Sequence, residues 1–189
     1  MKKTIIQLVL SVVILLLVYF VYESVMAPVR FNKEYDYRSK KVIEKMKQVR
    51  SAQLLYKQVH GTFAPSFDTL VDFLQYGEIP VVKMVPDPED TTFTRSILDT
   101  IAFISVGDSV LGAGKDPQTI RYIPFTDKEE ITLNAGTIER SNITVPVFEA
   151  IAPKEKYLSG LDDHLIRQDR YKSVTLGSMT EPSSDGNWE

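Results

Sequence analysis

The 189-residue chain has no cysteine, only two histidines and a single tryptophan. The missing thiols exclude disulfides, thiolate metal sites, a cysteine nucleophile and acylation at a lipobox cysteine. Whatever folds here is held by packing and hydrogen bonds alone. A basic cluster is also missing. The formal net charge is -3, and it is unevenly spread: residues 1–31 carry Lys2, Lys3 and Arg30 against Glu23, while the remainder is acidic. A mildly acidic body cannot neutralise a phosphate backbone well, so nucleic acid is not an expected partner. No glycine precedes Gly61, and no charge falls between Ile5 and Tyr22.

That uncharged run, IIQLVLSVVILLLVYFVY, has only Gln7 and Ser11 as clearly polar interruptions. As an α-helix its 18 residues span about 27 Å, close to the hydrocarbon thickness of a bilayer. It lacks the polar stripe of a core helix. Tyr19, Phe20 and Tyr22 sit where aromatic rings favour the headgroup layer, and Lys2 and Lys3 keep the N-terminus cytoplasmic by the positive-inside rule. Val25-Met26-Ala27 resembles a signal-peptidase site, but Pro28 follows it, and the apolar run is longer than a signal h-region. The reading is a retained single-pass anchor over residues 5–27, contacting membrane lipid through residues 5–22. Residues 1–4 would then be cytoplasmic and the rest would lie beyond a bacterial inner membrane.

Residues 28–61 turn densely charged and helical. Val42, Met46, Val49, Ala52, Leu55 and Val59 recur at three- and four-residue steps, an apolar stripe with Lys40, Lys41, Lys45, Lys47 and Arg50 on other faces. The stripe either packs on the chain's own sheet or meets neighbouring subunits, including further copies, with Gln53 spoiling a strict coiled-coil seam. Gly61 is placed to end the helix, and Pro28 either kinks a continuous helix or separates two. Ser66 should cap a short helix carrying Phe67, Leu70, Val71, Phe73 and Leu74, with Gly77 as its stop. An extended stretch over 79–85 and a loop at Pro86-Asp87-Pro88-Glu89-Asp90 follow. Short strands are then expected at 100–106, 121–125, 131–136, 145–150 and 171–177, with a helix within 154–170. Pro124 and Pro146 point to sheet edges or bulges. The fold class is α+β: the anchor continues into an amphipathic helix packed on a small antiparallel sheet, the domain covers 62–178, and 179–189 reads as a flexible polar tail.

Arg50, Ala52 and Tyr56, followed by Gly61, Phe63 and Pro65 and then Leu70, resemble the opening of the type IV pilin and pseudopilin superfamily. Its R-x-A-x-x-x-Y and G-x-[YF]-P elements are matched with one residue inserted before the proline. Gly186-Asn187-Trp188-Glu189 is similar to the end of some major pseudopilins. The resemblance covers about a third of the chain and implies a pilin-like architecture. It departs where processing is concerned: the prepilin-peptidase glycine and the acid inside the apolar run are absent, so neither cleavage nor fibre formation is implied.

Catalytic patterns are scarce. His60 precedes Gly61 and suits a helix C-terminus, while Asp162-Asp163-His164 falls on adjacent helical positions that face different ways. Gly107 to Lys115 fails the phosphate-loop spacing, and no Gly-x-Ser-x-Gly elbow occurs. Asp87, Glu89 and Asp90, or Glu181 and Asp185, are oxygen-rich but do not fit a calcium-loop spacing, so no metal or cofactor is expected. Asn142-Ile143-Thr144 matches a glycosylation acceptor. The expected function is a non-enzymatic, membrane-anchored subunit of a pilus-like or secretion assembly, acting through protein contacts. The alternative is a tethered ligand-binding or sensing module with a pocket lined by Tyr122, Phe125 and Phe148.

Overall fold

A computed structural model describes residues 2–86 and 96–189. The acids Asp87, Glu89 and Asp90 lie outside the described residues. One helix, α1 (Lys2–His60), takes up 59 residues, about 88 Å at the α-helical rise. Pro28 lies inside it and removes one backbone donor without ending it, so no break separates the apolar segment from the amphipathic one. The charged half is stapled along its surface by Glu34–Arg38 at 2.8 Å and Lys41–Glu44 at 2.9 Å. The helix stops where Gly61 adopts φ 77° and its N–H bonds the Lys57 carbonyl at 2.8 Å.

Helix α2 (Phe67–Tyr76) begins at Ser66, whose side chain accepts from the Thr69 N–H at 3.3 Å, as the sequence predicts. It ends at Gly77, where a Cβ would run into the Phe73 carbonyl and the Val106 side chain. That close approach requires glycine, although φ is an ordinary -74°. The chain then forms an antiparallel hairpin, β1 (Glu78–Pro86) and β2 (Ser96–Ser105), with a register irregularity between Val81 and Val82. Among the described residues these two strands pair only with each other. The base of the hairpin is closed by the Val106 N–H on the Gly77 carbonyl at 3.0 Å, at the start of α3 (Val106–Leu111).

No strand forms over 121–125. A 3₁₀ turn, Pro117–Arg121, leads instead into a single bridge between Tyr122 and Glu130. Pro124 supplies no N–H, and Phe125 and Lys128 take positive φ, so the chain doubles back at once. The second sheet has order β3-β4-β5, all antiparallel, from β3 (Thr132–Arg140), β4 (Ile143–Ala152) and β5 (Val174–Gly177). Ser141 and Asn142 both have positive φ, the left-handed pair that a two-residue hairpin between right-twisted strands requires. Pro146 sits on the central strand, but β5 pairs with residues 149–152, so among the described residues no strand pairs with the flank of Pro146 away from β3. Residues 154–170 hold two single turns, α4 (Lys154–Tyr157) and α5 (Asp163–Ile166), not one helix. Gly160 at φ 81° and the Asp162 cap on the His164 N–H interrupt it.

The core lies between the C-terminal half of α1, α2 and one face of this sheet. Val42, Met46, Val49 and Ala52 meet Leu70, Val71 and Leu74, and Phe148, Ala150, Ala152 and Leu176 close the other side. Residues 148, 150 and 152 alternate inward along β4, as strand geometry dictates. By contrast, the large apolar residues from Ile5 to Tyr22 are exposed on every side of α1. The architecture is therefore α+β, with, among the described residues, one apolar helical segment long enough to cross a membrane and two small antiparallel sheets.

Candidate functional site

The stripe on α1 is where the sequence pointed for contacts between subunits. Its middle is closed to any partner: Val42, Met46, Val49 and Ala52 are fully buried beneath the chain's own sheet and α2. Leu55 is half-buried, and Val59 is 62% exposed, because the last turn of α1 runs past the packed elements before Gly61 reverses the chain. The reading of Val42, Met46, Val49 and Ala52 as an interaction face is corrected accordingly, since these four are core, while Leu55 and Val59 at the end of the stripe stay accessible.

Gln53, which looked like a flaw in the stripe, is fully buried and holds the turn after α1. Its Nε2 donates to the Ala64 carbonyl at 3.1 Å, and its Oε1 accepts from the Ala64 N–H at 2.9 Å. Both backbone groups of Ala64 are thus satisfied where water cannot reach. A polar residue in step with an apolar stripe, shortly before a helix-ending glycine, was the available signal. The motif residues cluster around this clamp. Tyr56 stacks on His60 with ring centroids 4.1 Å apart and meets Phe73 edge-on at 5.2 Å, while His60 Nδ1 faces the Tyr56 carbonyl at 3.2 Å. Phe63 packs on Phe148 at 4.5 Å, Leu70 is fully buried, and Pro65 is exposed just before the Ser66 cap.

Arg50 reaches the far end of the chain, bonding the Glu189 carboxylate at 2.6 Å. The segment 179–189 is accordingly not a free tail. Gly186 bridges Leu176, the Gly177 N–H bonds the Asp185 carbonyl at 2.8 Å, and the Asn187 N–H bonds Thr175 at 3.0 Å. The Asn187 side chain bonds the Thr175 N–H at 3.1 Å and the Ser173 carbonyl at 2.8 Å. Trp188 packs against the core over Gly186, where a Cβ would strike its ring. Composition alone reads Ser, Pro, Asp and Gly as loose; the pairing along the edge of β5 orders them.

Three ionisable groups carry structural work. Burial lowers the Lys45 pKa, with Lys115 adding repulsion, while its Nζ donates to the Thr119 carbonyl at 3.0 Å. Arg121 pairs with Asp68, a hydrogen bond that raises its pKa, and so ties α2 to the 3₁₀ turn. Burial pushes the Tyr157 pKa upward, and its hydroxyl donates to the Lys172 carbonyl at 2.9 Å. Lys45 also lines a shallow hollow with Tyr37, Lys41, Glu44 and Phe125, and Arg121 lies between Asp68 and Glu130. Arg38 completes the frame by donating to the Tyr157 and Ser159 carbonyls at 3.1 and 3.0 Å.

The aromatic pocket expected from Tyr122, Phe125 and Phe148 does not form. Phe148 is in the core, whereas Phe125 lies on the surface against Tyr37 at 5.7 Å with Arg38 over its ring. His164 is exposed on α5, beside Asp163, Arg167 and Gln168 around an open hollow. Among the described residues no three His, Asp or Glu side chains converge to hold a metal ion. Among the described residues, open surfaces of the domain include Phe103, 65% exposed on β2, and the outer edge of β3. No protein-family model, no curated protein and no solved structure matches this chain.

Proposed function

We propose that this chain is a non-enzymatic, single-pass subunit of a cell-envelope assembly. In this reading residues 5–22 are the anchor in a bacterial inner membrane, with the N-terminus in the cytoplasm and the α+β domain in the periplasm. The observation that carries it is the continuity of α1: one helix is apolar and uncovered on all sides at its start, and buried in its own domain further along. Such a helix sets the height of the domain above a bilayer without a flexible linker. Lys2 and Lys3 supply the orientation. The pilin-like opening from Arg50 to Leu70 supports this reading.

The work falls to protein contacts made by the domain. With the middle of the α1 stripe covered, the surfaces favoured for neighbours are the strand edges left unpaired among the described residues, above all the β1–β2 hairpin. A two-stranded hairpin is marginal alone in water and offers a row of unpaired backbone groups. Mild crosslinking in intact membranes followed by detergent purification tests the assignment. Defined higher-mass species that vanish when the hairpin is deleted would support it. A strictly monomeric product would count against it.

A further inference from the structure

The middle of α1, the start of β5 and the C-terminal segment enclose a cavity of about 210 Å³. That is room for about seven waters, or a ligand of about as many heavy atoms. One wall comes from α1, where Tyr35, Ser39 and Ile43 follow at four-residue steps and so share a face. A second wall is made by buried Val174 and by Trp188, whose ring is seated on Gly186. Arg170 and Lys172 complete the lining from the chain that leads into β5. Both are exposed, so the cations belong to the rim and the apolar surface to the interior.

This lining offers donors without matching acceptors. The Trp188 Nε1–H is buried and has no hydrogen-bond partner, a state that folded interiors avoid. Arg170 gives one N–H to the Asn32 side chain at 2.9 Å and lies over the Tyr171 ring at 4.7 Å. Those contacts fix its head and leave further N–H groups to give. Neither Arg170 nor Lys172 has an ion-pair partner among the described residues. No carboxylate lines the cavity, and Glu189, next in sequence to Trp188, is held by Arg50 at 2.6 Å. The nearby side-chain acceptors are in use. Asn187 Oδ1 takes the Thr175 N–H at 3.1 Å, and the Ser173 hydroxyl takes the Lys154 N–H at 3.1 Å. A water can satisfy the indole, but it brings no charge to the two cations.

We propose that this cavity binds a small organic carboxylate, its charge on Arg170 and Lys172 and its short apolar body against Ile43, Val174 and Trp188. A carboxylate has about four acceptor sites, so one group can serve the cations and the indole N–H together. The apolar walls select against a bare inorganic anion, which would leave Ile43 and Val174 facing water. An amine or a zwitterion finds no acid in the lining to receive its ammonium. The bound ligand ties α1, the start of β5 and the C-terminal segment together and so stabilises the domain. The site lies wholly in the domain and does not depend on the anchor.

Trp188 is the only tryptophan of the chain, so its emission reports this site alone. Full-length protein in detergent micelles is titrated with sodium isovalerate, against isovaleramide, acetate, phosphate and chloride at matched ionic strength. The expected result is a saturable change in tryptophan emission with isovalerate and none with isovaleramide, which keeps the body and lacks the charge. Acetate should bind about tenfold more weakly or worse, having lost most of the apolar body. Lys172→Ala, at an exposed side chain, should weaken isovalerate about tenfold through loss of a charged donor. Lys57→Ala, about 21 Å further along α1 than Ile43, should change nothing. Trp188→Phe keeps a ring and removes the donor, and is followed by thermal melting instead. Isovalerate should raise the midpoint of the native chain and raise that of Trp188→Phe less. An isovalerate effect no larger than that of chloride, an equal effect of isovaleramide, or saturation by phosphate in place of isovalerate would overturn the proposal. So would an unchanged titration in Lys172→Ala or an equal rise in Trp188→Phe.

Discussion

The two ends of α1 both carry apolar side chains but differ in how these are arranged and in what covers them. Residues 5–22 are Leu, Ile, Val and aromatics on all faces, and none is covered by the chain. Within residues 42–52, Val42, Met46, Val49 and Ala52 form one fully buried stripe, with Ile43 half-buried beside it. Hydrophobic burial depends on area removed from water and not on direction. The all-round pattern therefore calls for an apolar solvent, and the stripe for a single packed face. One continuous helix thus carries two kinds of surface, and substitutions should act on them separately.

The widest separation is expected from truncating one large side chain in each half. Met46→Ala should destabilise the domain by about 3 kcal/mol in denaturant titration, whereas Leu15→Ala should leave that titration unchanged. Leu15→Arg inverts the comparison. It should leave the urea midpoint of the domain in place while opposing membrane insertion by about 3 kcal/mol, seen as loss from the carbonate-resistant membrane fraction. Gln53→Ala probes the polar member of the buried face. Leaving both backbone groups of Ala64 unpaired should remove about 2 kcal/mol or more, while Gln7→Ala in the outer half should leave domain stability as it was.

Smaller effects belong to the periphery of the packed half. Tyr157→Phe should lose about 1 kcal/mol at neutral pH through the missing bond to the Lys172 carbonyl. It should also flatten the alkaline limb. With its pKa raised in the fold, Tyr157 stays protonated when the unfolded chain begins to ionise near pH 10. Its contribution is present below that pH and is lost as pH rises toward the folded value. Urea titrations at several pH values above neutrality would show it. Glu189→Gln, which removes the charge opposite Arg50, should change stability by no more than about 0.5 kcal/mol, fading in salt.

Much of this comparison was legible before any coordinates. A charge-free run of membrane length, a three-and-four-residue stripe, Gly61 and the Ser66 cap are local signals, and local signals survive in one dimension. The strand pieces at 131–136 and 145–150 were found but clipped, since strand ends are set by partners and not by the residues themselves. The 154–170 segment looked helical by its apolar spacing, but one left-handed glycine and one capping aspartate override propensity. Gln53 and Asn187 were missed for a deeper reason. Their partners, Ala64, Ser173 and Thr175, are backbone groups, and a backbone group leaves no mark in sequence. The same applies to the cavity at Trp188, which joins residues 35–43 to 170–174.

The most direct test of the divided helix is thiol accessibility in native membranes, using single cysteines at Val12, Val49 and Ser51 in the cysteine-free chain. A membrane-impermeant maleimide should label Ser51→Cys at once and Val49→Cys only when urea unfolds the domain. Val12→Cys should remain protected in urea and become reactive only once the bilayer itself is dissolved and the protein denatured. Labelling of Val12→Cys by urea alone, or of Val49→Cys without it, would contradict the account.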